Sequence, residues 1–138
     1  ALNSSAEEPD FSFSGIKTAV VNLMHNAAQK GETLSKADIA ASFQRAVCDT
    51  LTLKAVHAAK EHGFNTLALA GGVSANRALR SSLARACEEQ GIRFCCPDFR
   101  YCTDNAAMIA CAGHYALMAG ELSGLDLNAA PELPLVQR

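Results

Sequence analysis

The run GGVSAN at residues 71–76 combines the residue types best suited to holding a ligand. Glycine has no Cβ, so the backbone can come close to a bound molecule. A helix that begins behind such a turn offers unpaired N–H groups and the positive end of its dipole, which favour phosphate. The run matches neither GxGxxG nor a P-loop. We predict a nucleotide or anion site here; the alternative is a tight turn in which Ser74 or Asn76 caps the helix.

The run CTDNAA at residues 102–107 holds a second candidate, Asp104. One interpretation makes Thr103 the cap of a helix and Asp104 an acid of its first turn, where the dipole contributes a few tenths to about 1 kcal/mol. The other makes Asp104 a metal ligand. That role needs two or three more ligands, and the four histidines of the chain contain no HxxxH pair.

A third candidate is the run DFSFSGIK at residues 10–17, in which small hydroxyls and a glycine precede a helix. Ser14, Gly15 and Lys17 could meet a phosphate there. The alternative is a capped helix start with Phe11 and Phe13 anchored in the core.

Three arginines lie on the helix expected after the glycines, and two of them, Arg77 and Arg80, share one face at i and i+3. A basic face exposed to solvent is the simplest interpretation of these two and of Arg85. A contact to tRNA phosphate is the alternative.

The elements that must position these residues follow from apolar spacing and from glycine or capping signals. Short apolar runs flanked by glycine or proline predict two strands, of which the first is expected to be parallel and buried. Strand, glycine-rich turn, helix and strand in succession form one βαβ unit. The pattern predicts helices over residues 15–29, 36–62, 76–90 and 104–119, strands over 65–70 and 92–96, and an irregular surface tail over 121–138.

Composition excludes several classes of protein. Twelve basic against fourteen acidic residues give a net charge of −2, so binding to nucleic acid by overall charge is not expected. Six cysteines without a CxxC pair fit free thiols in a reducing compartment, and we expect a cytoplasmic protein. No apolar run reaches the roughly 18 residues of a membrane span. The polar start, without Met, is interpreted as a cut end inside a longer chain.

Four runs, taken together and in this order, carry a family resemblance. DFSFSGIKTAV, ASFQRAV, LALAGGVSANRALR and YCTDNAAMIACAG, from about Asp10 to Gly120, closely resemble the C-terminal half of the tRNA threonylcarbamoyladenosine transferase family. That family was once labelled O-sialoglycoprotein endopeptidase, and no residue pattern of a peptidase supports the old label here.

The resemblance implies an α/β fold, the C-terminal lobe of the two-lobed actin, Hsp70 and sugar-kinase type with a ribonuclease-H-like core. It also implies an acyltransferase that moves the threonylcarbamoyl group of threonylcarbamoyl-AMP to the adenosine beside the anticodon of tRNAs reading ANN codons. Partners would be tRNA and other proteins of this synthesis, including an inactive paralogue. The adenylate, or ATP, would lie between the lobes, close to Asp104's metal.

Site residues carry over position by position. Asn76, Gly71 and Gly72 would lie against the nucleotide, and Ser14 is a further candidate. Asp104 would bind one divalent metal, Fe²⁺ or Zn²⁺, whose histidine ligands belong to an HxxxH motif of the N-terminal half. No residue of this chain is predicted to be catalytic, since direct transfer to the tRNA amine requires no protein nucleophile.

The chain itself, residues 1–138, is expected to be the C-terminal part without the N-terminal lobe, inactive alone and with weak or no nucleotide affinity. Two other interpretations stay open. A fragment of a small-molecule kinase of the same fold would also use a Gly-Gly turn against adenosine but is not expected to carry TDNAAM. A non-catalytic scaffold paralogue would tend to lose Asp104 and Asn76, both of which are present.

Overall fold

The computed structural model describes residues 13–129, and the chain divides between Thr103 and Asp104 into two compact units. Among the described residues, the first unit contains three helices and two strands, and the second contains one helix. In chain order they are α1 (Phe13–Gln29), α2 (Lys36–Glu61), β1 (Thr66–Ala68), α3 (Arg77–Glu89), β2 (Arg93–Cys95) and α4 (Ala106–Met118). Short 3-10 turns occupy Gly72–Ala75 and Phe99–Tyr101.

The ends of α2 follow from local signals in the sequence. Ser35 Oγ accepts a hydrogen bond from the Asp38 amide at 3.3 Å, so this serine caps the helix. At the other end Gly63 has a φ of 69°, and the Phe64 amide donates to the Ala59 carbonyl at 2.7 Å. A left-handed glycine that reverses the chain in this way ends a helix at little cost.

The core of the first unit lies where α2 and α3 pack against one face of the sheet. Because leucine and cysteine recur at four-residue spacing on α3, at residues 79, 83 and 87, one side of that helix is apolar. The buried residues of this core belong to α2, to α3 and to the position before β2. They are Cys48, Val56, Ala59, Leu79, Leu83, Cys87 and Ile92.

The sheet consists of β1 and β2, which run parallel with Leu67 opposite Phe94. The predicted βαβ unit and parallel pairing are therefore confirmed. The expectation that the first strand is buried is wrong: Leu67 is half-buried while Thr66 and Ala68 on the other face are exposed. Within residues 13–129 there are two strands and the helices cover one face of them, so alternate residues of each strand remain open.

Two predicted helix starts were wrong. Helix α1 begins at Phe13, so Ser14 and Gly15 lie in its first turn rather than before it, and Phe13 is exposed rather than anchored in a core; Phe11 lies outside the described residues. Helix α4 begins at Ala106, capped by Asn105, whose Oδ1 accepts from the Met108 amide at 3.0 Å.

The described part of the second unit, residues 104–129, contains no buried side chain. Helix α4 is apolar on all sides, and none of its residues is buried. Residues 121–129 are irregular, as predicted, but Leu122, Leu125 and Leu127 are exposed rather than packed; the rest of the predicted tail lies outside the described residues. None of the helices described is long and apolar enough to cross a membrane.

Candidate functional site

The predicted ligand turn, residues 71–76 and hereafter the Gly-Gly turn, connects β1 to α3. Gly71 has a φ of 83°, a conformation that side chains with a Cβ rarely adopt. The chain then tightens into a 3-10 turn in which the Ser74 amide donates to the Gly71 carbonyl and the Asn76 amide to the Val73 carbonyl, both at 2.9 Å. Backbone geometry thus explains the first glycine.

Gly72 has no such explanation within the chain. Its φ lies outside the left-handed region, and a Cβ added to it would meet no described atom within 4 Å. Neither conformation nor packing of residues 13–129 therefore requires glycine here. A bare backbone facing open space is what a closely approaching ligand needs.

Asn76 is the N-cap of α3, so of the two predicted alternatives, Ser74 and Asn76, the second is confirmed. Its Oδ1 accepts from the amides of Ala78 at 2.9 Å and Leu79 at 3.2 Å. Its Nδ2 donates to Gln44 Oε1 on α2 at 3.4 Å. Because the oxygen serves the helix and one N–H serves Gln44, a single N–H of the Asn76 amide is left for a ligand.

Two groups at the turn have roles that the sequence did not predict. Ser74 is fully buried, and its Oγ has no hydrogen-bond partner in the described part of the chain. Gln44, which orients the Asn76 amide, lies in the ASFQRAV run that contributed to the family resemblance without a role of its own. The run gave no chemical signal for Gln44, since its contact with Asn76 spans 32 residues.

Arg80 is not part of an exposed basic face. Its guanidinium is half-buried and bonded to the carbonyl oxygens of Ser74 and Pro97, so the simple interpretation of this arginine was wrong. Arg77 and Arg85 are exposed, as that interpretation expects. Arg77 also lies 5.7 Å from the Phe99 ring, over which Arg80 stacks at 4.1 Å.

Asp104 opens the second unit and is exposed. It precedes the cap Asn105, so the interpretation of Asp104 as an acid of the helix's first turn, with Thr103 as cap, was wrong. Within residues 13–129 its carboxylate forms no ion pair or hydrogen bond, which leaves both oxygens available. The predicted roles of Asn76 at the nucleotide and of Asp104 at the metal stay predictions, as does the role of Ser14 in the exposed first turn of α1.

The described residues do not form a complete metal site, because none of their His, Cys, Asp and Glu side chains gather in groups of three or more. Asp104 can therefore supply one ligand and needs others from elsewhere. Two buried thiols, those of Cys48 and Cys87, are poor candidates for a nucleophile. Burial raises the pKa of Cys87, and burial followed by the nearby Asp49 raises that of Cys48, so both stay protonated near neutral pH.

Comparison with known proteins gives one family. The family model for "TsaD: tRNA N6-adenosine threonylcarbamoyltransferase" matches residues 1–111. Curated relatives of that name are 48 % identical over 129 residues in Caldicellulosiruptor saccharolyticus and 52 % over 128 residues in Geobacillus thermodenitrificans. The alignments cover 94 % and 92 % of this chain but 38 % and 37 % of the relatives, so the chain spans less than two-fifths of their length.

Proposed function

Because the chain belongs to the tRNA N6-adenosine threonylcarbamoyltransferase family, we propose that it is the C-terminal part of an enzyme that modifies tRNA. That enzyme transfers the threonylcarbamoyl group of threonylcarbamoyl-AMP to the adenosine next to the anticodon in tRNAs reading ANN codons. The observation that carries the proposal is the Gly-Gly turn, where Gly72 presents bare backbone to open space at the start of a helix. In this proposal the chain is the C-terminal lobe of an actin-like fold.

The turn suits the nucleotide half of the substrate. The N-terminus of α3 carries the positive end of a helix dipole, and no acidic residue stands in the first turn of α3 to compete with a phosphate. Gly71 and Gly72 let the adenosine or its phosphate lie against the main chain. The remaining N–H of the Asn76 amide, held in place by Gln44, donates to an acceptor of the ligand.

In this proposal the chain contributes by binding and orienting the adenylate. The N6 amine of the tRNA adenosine attacks the carbamoyl carbon, the new N–C bond forms, and the bond to the phosphate oxygen breaks with its electron pair leaving on AMP. The amine loses one proton, which passes to the departing phosphate or to water. The one hydroxyl of the Gly-Gly turn, on Ser74, is fully buried and has no hydrogen-bonded base in the described part of the chain. Holding the adenylate in a reactive orientation is a sufficient contribution from this part.

Asp104 fits one position in a metal site that the rest of the enzyme completes. Its exposed carboxylate has no competing cation among the described residues, and oxygen ligands suit Fe²⁺ or Zn²⁺. A bound divalent ion would hold and polarise oxygen atoms of the substrate. The remaining ligands, the histidines of an HxxxH motif, belong to the part of the enzyme outside this chain.

The partners of the proposed enzyme are tRNA and the other proteins of threonylcarbamoyladenosine synthesis, including an inactive paralogue, in the cytoplasm. A net charge of −2 provides no general attraction for tRNA. Contact with tRNA therefore depends on local basic groups, such as the exposed Arg77 and Arg85 of α3, or on the partner proteins.

The direct test uses the full-length protein, its partner proteins, threonylcarbamoyl-AMP labelled in the threonyl group, and a tRNA reading an ANN codon. Label is expected on N6 of the adenosine beside the anticodon. A tRNA with guanosine at that position is the control and should take up none. Phosphorylation of a small molecule by ATP, with no label on tRNA, would favour the kinase interpretation.

A further inference from the structure

The side chain of Arg80 connects two segments that are far apart in sequence. It extends from α3 to the Gly-Gly turn and to residues 97–102, hereafter the pre-Asp104 segment, which ends two residues before Asp104. Nε donates to the Ser74 carbonyl at 2.5 Å and Nη2 to the Pro97 carbonyl at 2.6 Å. Nη2 also reaches Cys102 Sγ at 3.1 Å.

Further contacts occupy another N–H group and one face of the guanidinium. Its carbon lies 4.1 Å from the centre of the Phe99 ring, and Nη1 is 3.5 Å from Cys96 Sγ. An arginine has five N–H donors, of which these contacts occupy four. Arg80 therefore donates four of its five N–H groups to acceptors inside the protein, and one N–H remains for a phosphate of tRNA.

The arrangement requires the shape of arginine and not only its charge. Two carbonyl oxygens from different segments are bridged by a planar fork whose face stacks on an aromatic ring, and a lysine ammonium cannot reproduce that geometry. Hydrogen bonds from a charged donor are also stronger than those between neutral groups. The turn and the pre-Asp104 segment are thereby fixed to one rigid group on α3.

We infer that Arg80 is a positioning residue that fixes the Gly-Gly turn to the pre-Asp104 segment, and thereby sets the shape of the surface offered to the adenylate. Arg80 acts through the Ser74 carbonyl and through Pro97 and Cys102, without touching the substrate. The inference rests on the proposed function, because it assigns the turn to the adenylate.

Kinetics of the full-length protein separate this role from a contact with tRNA. Arg80→Ala and Arg80→Lys are each expected to raise KM for threonylcarbamoyl-AMP about tenfold and to leave KM for tRNA within about twofold. Arg85→Ala, which removes the same charge from an exposed position on α3, should leave KM for threonylcarbamoyl-AMP unchanged. A normal Arg80→Lys enzyme together with a raised KM for tRNA in Arg80→Ala would overturn the inference in favour of a phosphate contact.

Two further measurements distinguish the inferred role of Arg80 from a merely structural role, and a failure of the inference from a failure of the proposed function. If Arg80→Lys lowers the melting temperature but leaves KM for the adenylate unchanged, the residue only stabilises the fold and the inference is wrong. Amide hydrogen exchange in the full-length protein tests the link without any activity. Arg80→Lys should speed exchange at residues 72–76 and 99–102, while Arg85→Ala should not.

Unchanged exchange in Arg80→Lys at both segments would refute the link whatever the activity. Faster exchange at both, in a protein whose wild type transfers no threonylcarbamoyl group, would support the link while removing the proposed function.

Discussion

The Gly-Gly turn and the residue Asp104 differ in how far this chain alone fixes them. The turn is determined by the left-handed Gly71, by the Asn76 cap and by the bonds of Arg80 to Ser74. The Asp104 carboxylate has no ion pair or hydrogen bond within residues 13–129. One part of the proposed site is thus preorganised by local structure. The described residues hold the other part with no such contact, and in the proposal its geometry comes from groups in the rest of the enzyme.

The largest effect is expected from removing the carboxylate that depends on other groups. In the full-length protein Asp104→Ala should remove most bound metal and lower the transfer rate at least about 100-fold, which corresponds to about 2.7 kcal/mol. The exposed acid Asp126 of the same unit supplies the control, since Asp126→Ala should leave both unchanged. Elemental analysis and the transfer assay measure the two quantities. A normal metal content in Asp104→Ala would refute the assigned role.

The second prediction concerns residues 1–138 taken alone. A preorganised turn on one wall of a cleft buries little of a nucleotide, so the isolated chain should bind ATP or AMP with a Kd weaker than about 1 mM. Titration calorimetry measures this directly. Micromolar affinity would mean that the turn forms a complete site without the other wall.

The third prediction separates the two glycines. Gly72→Ala in the full-length protein should change the free energy of unfolding by less than about 1 kcal/mol but raise KM for threonylcarbamoyl-AMP about tenfold, because the new methyl occupies the approach of the ligand. Gly71→Ala should lose about 1–2 kcal/mol of stability, since its φ of 83° disfavours any Cβ. A Gly72→Ala enzyme with a normal KM would show that the nucleotide does not occupy the space over this glycine.

The smallest effect concerns stability at alkaline pH. Burial raises the pKa of the Cys87 thiol above its ordinary value of 9.0. Above that pH the unfolded thiol ionises while the folded one keeps its proton, so the free energy of unfolding falls as pH rises. Cys87→Ala should reduce this slope by up to about 1.4 kcal/mol per pH unit. The exposed Cys111 provides the control variant, and an unchanged slope in Cys87→Ala would contradict the prediction.

Sequence was informative wherever the determinant is local. The Ser35 cap of α2, the Asn76 cap of α3 and the glycines after helices are recognisable within a few residues, and the predicted ends of α2 and α3 lie within one residue of the observed ones. The turn between β1 and α3 was predictable for the same reason.

Other features depend on neighbours that the sequence does not reveal. In the TDN run Thr103, Asp104 and Asn105 are all suitable helix caps, and only the backbone conformation selects Asn105. Arg80 has the same pattern as an exposed helix arginine, because its acceptors Ser74 and Pro97 come together only after folding. The prediction that β1 is buried failed for a similar reason, because the burial of a strand depends on which layers cover the two faces of its sheet.

The most direct test of the account asks whether Asn76 and Asp104 act on the same bound molecule. A double-mutant cycle in the full-length protein, with Asn76→Ser and Asp104→Asn, measures the affinity for a non-reactive analogue of threonylcarbamoyl-AMP by calorimetry; serine keeps a helix cap and removes the amide donor. If both residues hold the same molecule, the two effects are coupled by at least about 0.5 kcal/mol. Two effects that add without coupling, or no loss of affinity in either variant, would contradict a shared site.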